Sequence, residues 1–436
     1  MKSFYIETFG CQMNVHDSER VAGTLAARGY RRVETPEEAD LVVYNTCSVR
    51  DKAEQKVYSR LSQFKRTGNG KLFAVLGCVA QQAGEAIFEK APHVSLVCGS
   101  ASYNKLPELL TQIETGGRRV TGLDLEVQET YETPFATRNS RHHAYITIIE
   151  GCDKSCAYCV VPFTRGGERS RASNVILEDV QRLADDGYTE VQLLGQNVNS
   201  YRDPSPAGWD FATLLARVGE VRGLRRVRFM TSHPRDFGKE IVDAIDANPV
   251  LCNNIHLPVQ SGSSRVLDRM RRQYSRDEYM QRIEWIKGAR REIAISTDII
   301  AGFPGETNED FEETMSLLRA VEYDSIFSFK YSPRPNTPAL EFREQVPDEE
   351  KGRRLTVLQE LQRSIQLKRN ARLIGTIDEV LVEGYNRATG QWAGRTSQNR
   401  VLNFVHGGSE DTLVGEYMRV RVSRAGPNSL AGESVI

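Results

Sequence analysis

The sequence predicts an α/β protein in three parts: an N-terminal doubly wound parallel-sheet domain, a central partial (β/α)6 barrel, and a small C-terminal all-β domain. Three observations predict it. The 436 residues exceed the size at which a single hydrophobic core stops growing. Short apolar runs alternate with amphipathic stretches over the first ~115 residues and again from about residue 141, the pattern of parallel sheets. The last ~65 residues carry only short β-type runs.

In the first part, strands are expected at Ser3–Thr8, Asp40–Asn45, Leu72–Gly77 and Val94–Val97. Asp17 and Ser18 can cap a helix whose Val21 and Leu25 share a face, and Gly29 fits its left-handed end. From Gly116 to about Ser140 the apolar periodicity disappears, as in a domain connection. Six strand-like runs follow, each leading into a helical segment: Tyr145–Ile149, Glu190–Leu194, Val227–Met230, Asn254–Leu257, Ala294–Ile300 and Ile326–Tyr331. Each ends in a polar or Gly-containing turn, where β/α barrels place their chemistry. A helical pattern over Asp348–Arg372 precedes β runs at Ile377–Val382, Gln391–Thr396, Val401–Val405 and Tyr417–Ser423, which suggest an OB-like barrel of the kind that binds oligonucleotides. The expected divisions are 1–117, a linker 118–137, 138–368 and 369–436.

With 39% hydrophobic and 26% charged residues, the composition excludes the disordered and fibrous classes. Apolar stretches such as Leu41-Val42-Val43 are far too short to cross a bilayer, and Met1–Glu7 lacks the features of a signal peptide, so a cytoplasmic protein with no membrane partner is expected. In that compartment the eight Cys read as metal ligands, catalytic groups or buried apolar residues. A net charge of −1 gives no whole-chain argument for a nucleic-acid partner. Two local clusters, Arg222/Arg225/Arg226/Arg228 and Arg269/Arg271/Arg272/Arg276, read either as such a surface or as solvated faces.

The strongest chemical signal is Cys152-Asp153-Lys154-Ser155-Cys156-Ala157-Tyr158-Cys159, just after the first barrel strand. Three thiolates on one loop can hold three irons of a 4Fe-4S cube and leave the fourth open. The alternative is a zinc site completed by His142 or His143, although zinc sites usually pair their thiols in CxxC knuckles. CxxxCxxC with an aromatic before the last Cys resembles the signature of radical S-adenosylmethionine (SAM) enzymes. The resemblance implies that Cys152, Cys156 and Cys159 hold the SAM-cleaving cluster and that Tyr158 lies near the adenine. Gly195-Gln196-Asn197 stands where that family has a GGE-like motif but lacks the second Gly and the Glu. Gly302-Phe303-Pro304-Gly305-Glu306 follows the fifth strand, where the family shapes its SAM pocket, so Gly302, Pro304 and Gly305 join the candidates; by itself the string reads as a tight turn.

Cys11, Cys47 and Cys78 are distant in sequence, yet each lies just past an expected strand end, and parallel sheets gather such ends at one edge. They read either as ligands of a second cluster or as three separate buried thiols, and Cys98 ends the fourth strand in the same way. The strings Glu7–Asn14, Asn45-Thr46-Cys47 and Gly77-Cys78-Val79-Ala80-Gln81 resemble the N-terminal domain of the methylthiotransferases, which implies that these three Cys ligate an auxiliary 4Fe-4S cluster while Cys98 and Cys252 are structural. Val422, Arg424 and Ser429–Glu433 resemble a TRAM domain, so the resemblance spans the chain. Cys11-Gln12-Met13-Asn14 is similar to the MiaB-type branch, which acts on N6-isopentenyladenosine beside the tRNA anticodon; other branches act on threonylcarbamoyladenosine or a ribosomal-protein aspartate.

The resemblance therefore implies a sulfur-group transferase with two 4Fe-4S clusters, SAM as methyl donor and radical source, and the tRNA anticodon stem-loop as substrate. It also implies an electron-donor protein and a sulfur source, with the chain itself expected to be a monomer. Arg387, Arg395, Arg400, Arg419, Arg421 and Arg424 are candidate RNA contacts. The reading from a different class is a non-enzymatic RNA-binding protein with a structural metal.

Overall fold

The computed structural model describes residues 2–48, 51–64, 70–125, 138, 140–406 and 413–435. In the N-terminal domain, β1 (Ser3–Phe9), β2 (Arg31–Arg32), β3 (Leu41–Thr46), β4 (Leu72–Gly77), β5 (Leu96–Cys98) and β6 (Val120–Gly122) form one parallel sheet in the order β2-β1-β3-β4-β5-β6. Every residue of β3 is buried, as a central strand covered on both faces requires. The order reverses between β1 and β3, and such a switch point is where open α/β sheets bind ligands.

Two expectations are corrected here. The first helix runs Gln12–Ala27 with Cys11 as its N-cap, so Asp17 and Ser18 lie inside it. Both are polar for tertiary reasons: Ser18 shares a hydrogen bond with Thr8 and accepts one from Asn45, while Asp17 pairs with Arg165 of the barrel. Gly29, at φ +80°, does follow the helix end. Val120–Gly122, inside the expected linker, is the sixth strand of the sheet, and most of the rest of that linker lies outside the described residues.

The central domain has β7 (His143–Thr147), a two-stranded ribbon of β8 (Ile149–Glu150) and β9 (Arg169–Ser170), then β10 (Glu190–Leu194), β11 (Arg226–Met230), β12 (Asn254–His256), β13 (Ala294–Ala301) and β14 (Ser325–Lys330). β7, β10 and β11 form one parallel sheet and β12, β13 and β14 another. A parallel bridge between Val227 and Leu251 links the two into an open, six-stranded barrel wall. Alternate residues such as Val191, Leu193, Ile295 and Ile299 pack outward with helix residues such as Ile176 and Leu318 in one core.

At the C-terminus, β15 (Ile377–Asn386), β16 (Gln391–Thr396), β17 (Val401–Val405), β18 (Tyr417–Ala425) and β19 (Leu430–Ser434) close a barrel around the buried Trp392 and Phe404. β19 escapes a propensity reading because Ala, Gly, Glu and Ser are poor strand formers. Gly432 is there because a Cβ would come within 2.1 Å of the Arg421 carbonyl.

Most arginines of the two clusters are internal fastenings, whereas Arg222 and Arg271 are exposed. Arg226 donates to the Arg395 and Glu379 carbonyls, Arg228 to the Thr396 and Ser397 carbonyls and to Glu190, and Arg225 covers the Tyr417 ring at 3.7 Å. Arg269 donates to the Pro304 carbonyl, and Arg276 to those of Gly262 and Glu313. Arg400, a candidate RNA contact, pairs with Asp324 at 2.7 Å. Gln398 donates to the Glu292 carbonyl, and the Asn253 N–H to Ser397. The β16–β17 turn is thus pinned to residues that precede β12, β13 and β14, the end of the barrel away from its catalytic turns.

Candidate active site

Two sets of three thiols lie on the first two domains, and Arg165, on the helix after Cys159, neighbours Cys11 and Cys78 of the other set. Cys11 follows β1, Cys47 follows β3 and Cys78 follows β4. Two glycines let these chain ends converge. At Gly10 (φ +149°) a Cβ would stand 2.5 Å from the Cys47 Cβ, and at Gly77 (φ +91°) one would stand 2.5 Å from both the Thr46 carbonyl and the Asn45 side chain. The Cys47 thiol hydrogen-bonds the Cys11 sulfur and holds it down at about pKa 6 with help from Arg165. Arg165 is buried, donates to Asp17 at 2.6 Å and is held cationic by Asp17 and by the neighbouring Cys78 and Cys11. Cys98 differs: it is buried in the apolar core of the sheet, which pushes its thiol up to about 12.

The second triad lies on the loop after β8. Gly151 (φ +79°) starts it in a space where a Cβ would meet the Gly167 carbonyl at 2.0 Å. Burial raises Cys152 to about 11, and burial followed by the neighbouring Cys156 raises Cys159 to about 12. Such thiols ionise when a metal displaces the proton. Arg272 approaches the Cys156 sulfur at 3.4 Å, and its other nitrogens donate to Tyr274 and the Pro258 carbonyl. His142 and His143 stand at the start of β7, opposite the end that leads to this loop and roughly 16 Å along the strand. They cannot complete a zinc site there. Among the described residues no three His, Cys, Asp or Glu groups are placed around a single ion; a cluster instead spreads its thiolates over several irons.

The turns of the other strands gather on the same loop. Gln196 accepts the Gly151 N–H, while Asn197 and Lys154 both reach Asp236, tying the turns after β10 and β11 to the Cys loop. Gly195 allows that approach, since a Cβ would lie 2.4 Å from the Ile149 side chain. The Phe303 ring meets Tyr158 at 6.4 Å and Tyr331 at 5.3 Å, bringing in the turn after β13 and the end of β14. Gly302 and Gly305 (φ +73° and +82°) are packed against Lys351 and Arg269, the Pro304 carbonyl accepts from Arg269, and Glu306 closes the turn onto the Gly302 N–H with Arg354 buried behind it. Four polar atoms in these turns are buried without a hydrogen-bond partner among the described residues: Asn197 Oδ1, Ser232 Oγ, His233 Nε2 and Tyr331 Oη. Buried polar atoms left open in this way fit a polar ligand such as SAM.

Residues 3–99 match the uncharacterized protein family UPF0004, residues 146–318 the radical SAM superfamily, and residues 371–435 the TRAM domain. A tRNA-2-methylthio-N(6)-dimethylallyladenosine synthase of Solibacter usitatus is 67% identical over 99% of this chain and 98% of its own length. The synthases of Koribacter versatilis and Aquifex aeolicus are 60% and 44% identical over 100% and 99% of the chain, each over 98% of its own length. The chain belongs to the tRNA-2-methylthio-N(6)-dimethylallyladenosine synthase family.

Among solved structures, the radical SAM methyltransferase TsrM of Kitasatospora setae matches the fold of this synthase-family chain at a TM-score of 0.58 with 14% identity, covering 88% of this chain and 78% of its own. The cobalamin-dependent enzyme OxsB matches at 0.54 with 12% identity over 84% and 56%. Four residues of the synthase site escape sequence reasoning: Arg165, Ser232, His233 and Arg272. Arg272 is hidden inside an arginine-rich string, whereas Ser232 and His233 carry a signal, their place in the turn after the third barrel strand. Burial, and then Arg272, Lys154 and Arg235, hold His233 down at about pKa 2, so its ring is neutral. Domain closure rests on buried pairs. Burial alone would raise the Glu150 carboxyl, but Arg20 at 2.9 Å, together with Arg165 and Arg169, holds it below the usual carboxylate range.

Proposed function

We infer that this chain attaches a methylthio group to C2 of N6-dimethylallyl (isopentenyl) adenosine beside the anticodon of tRNA. The observation that carries the reading is the pair of thiol triads, built on two domains and joined by Arg165, which ends the short helix Val161–Arg165 directly after Cys159 and reaches the Cys11/Cys78 side. Two 4Fe-4S clusters and SAM, when bound, supply one-electron and sulfur chemistry that no side chain in the site can supply.

The chain's own residues bind and orient. Cys152, Cys156 and Cys159 hold the SAM-cleaving cluster, with the Arg272 cation beside Cys156. Asn197, Ser232 and His233 offer their open polar atoms to SAM, and Tyr158, backed by Phe303, lies against its adenine. Gln196 serves the loop itself by fixing the Gly151 N–H. Cys11, Cys47 and Cys78 hold the auxiliary cluster, whose negative charge the buried Arg165 offsets. Arg419, Arg421 and Arg424 are exposed on the outer face of β18 and hold the RNA backbone. SAM cleavage consumes an electron and each product consumes a sulfur, so an electron-donor protein and a sulfur source complete the system.

The test is an anaerobic reaction of reconstituted protein with SAM, a reductant and tRNA bearing isopentenyladenosine, with threonylcarbamoyladenosine tRNA alongside, read by nucleoside mass spectrometry. The methylthio nucleoside is expected from the isopentenyl substrate alone. Formation of 5′-deoxyadenosine with neither tRNA modified would overturn the substrate assignment.

A further inference from the structure

β14 is the last strand of the barrel and pairs only with β13, so its other edge borders the lateral gap of the open wall. On one face of β14, Ile326 packs against the same apolar core as Val357 and Leu361 of the helix Asp348–Ala371, and Ser328 accepts from Gln359 of that helix. The pleat therefore turns Phe327 and Phe329 inward, to the barrel lumen. The Phe327 ring stands edge-on to His256 at 5.8 Å. Both phenylalanines stay exposed, at 44% and 40%, in an interior that elsewhere presents Gln192, Arg228, His256 and Asp298.

Their height in the barrel is set by the chain. Phe329 is two residues before Tyr331, whose ring leads through Phe303 to Tyr158 of the Cys loop. On the opposite wall Gln12, the neighbour of Cys11, hydrogen-bonds Gln192. A base that enters between the triads thus meets this aromatic strip.

We propose that Phe327 and Phe329 form the wall on which the apolar five-carbon N6 chain of the target adenosine lies, and that this contact selects the isopentenylated base; the inference rests on the substrate reading above. Residues i and i+2 of a strand are roughly 7 Å apart, close to the length of an extended five-carbon chain, so two rings in succession cover it. The strip also disfavours an acidic N6 group. Asp298 is the β13 partner of Phe327, and its carboxylate, 3.4 Å from His256, would face the carboxylate of a threonylcarbamoyl group.

The test compares the reconstituted holoenzyme with its Phe327→Ser/Phe329→Ser and Phe327→Leu/Phe329→Leu variants, by fluorescence anisotropy, on an anticodon stem-loop carrying isopentenyladenosine or plain adenosine. Wild type is expected to prefer the isopentenyl loop by roughly tenfold or more. The Ser pair should bring the two loops within about twofold of each other by weakening the isopentenyl loop alone, and the Leu pair should keep most of the preference. A Ser pair that retains the preference, or that weakens both loops equally, overturns the proposal. Wild type that methylthiolates the isopentenyl loop yet binds both loops alike overturns this inference and leaves the function standing. Wild type that cannot modify the isopentenyl loop overturns both.

Discussion

Each thiol triad has a cation that is not a ligand: Arg165 beside Cys11 and Cys78, and Arg272 beside Cys156. The triads differ in the work assigned to them, so single substitutions should separate their effects. Cys156→Ala is expected to abolish 5′-deoxyadenosine formation, whereas Cys47→Ala should retain part of it and lose the methylthio nucleoside; both are read by mass spectrometry of one reaction. His233 gives a pH prediction. Below about pH 6.5 the unfolded chain takes up a proton that the folded residue refuses until about pH 2, so stability falls as pH drops below 6.5, by at most about 1.4 kcal/mol per unit. Urea midpoints from pH 7.5 to 5.5 should fall less steeply in His233→Gln. At this scale the sequence is most readable where ligands are contiguous: Cys152–Cys159 announces itself, while Arg272 among four arginines shows nothing of its position against a sulfur.

Elements decide whether distant thiols can meet. The convergence of Cys11, Cys47 and Cys78 depends on strand ends closing at Gly10 and Gly77, positions where both the positive φ and the space exclude a side chain. Gly10→Ala should therefore lower iron content by about half while the Cys loop still cleaves SAM, because only one of two four-iron sites is disturbed. Iron analysis beside 5′-deoxyadenosine yield checks it. The strands carrying these residues are readable as short apolar runs, since buried parallel strands are apolar on both faces. Asp17 and Ser18 mislead because the residue types that cap helices also serve as buried polar links, and only the fold shows Arg165 waiting opposite. Arg226 and Arg228 mislead similarly: strand alternation turns both to the same side, and the partner there is the end of β16, about 170 residues later.

The whole molecule places the two triads at one end of the barrel and fastens the C-terminal domain to the other through Arg228, Asn253 and Arg400. The RNA must then span both, with its backbone on β18 and its base in the lumen. Replacing Arg419, Arg421 and Arg424 together by Ala should weaken tRNA binding without changing base preference. It should also flatten the dependence of log K on log salt by about two to three, as expected for three lost phosphate contacts. Three-part organisation is legible in the sequence from changes of period alone, but relative placement is not, because fastenings such as those of Arg226 and Arg228 are hydrogen bonds to backbone carbonyls that any sequence would offer.

The central claim is that the chain carries two independent four-iron sites, and metal analysis with Mössbauer spectroscopy of anaerobically reconstituted protein tests it most directly. About eight irons per chain are expected in the wild type, and about four each in the Cys11/Cys47/Cys78→Ala and Cys152/Cys156/Cys159→Ala variants, with 4Fe-4S spectra in all three. Wild type with only four irons, or an N-terminal triple variant that still binds eight, would contradict the account.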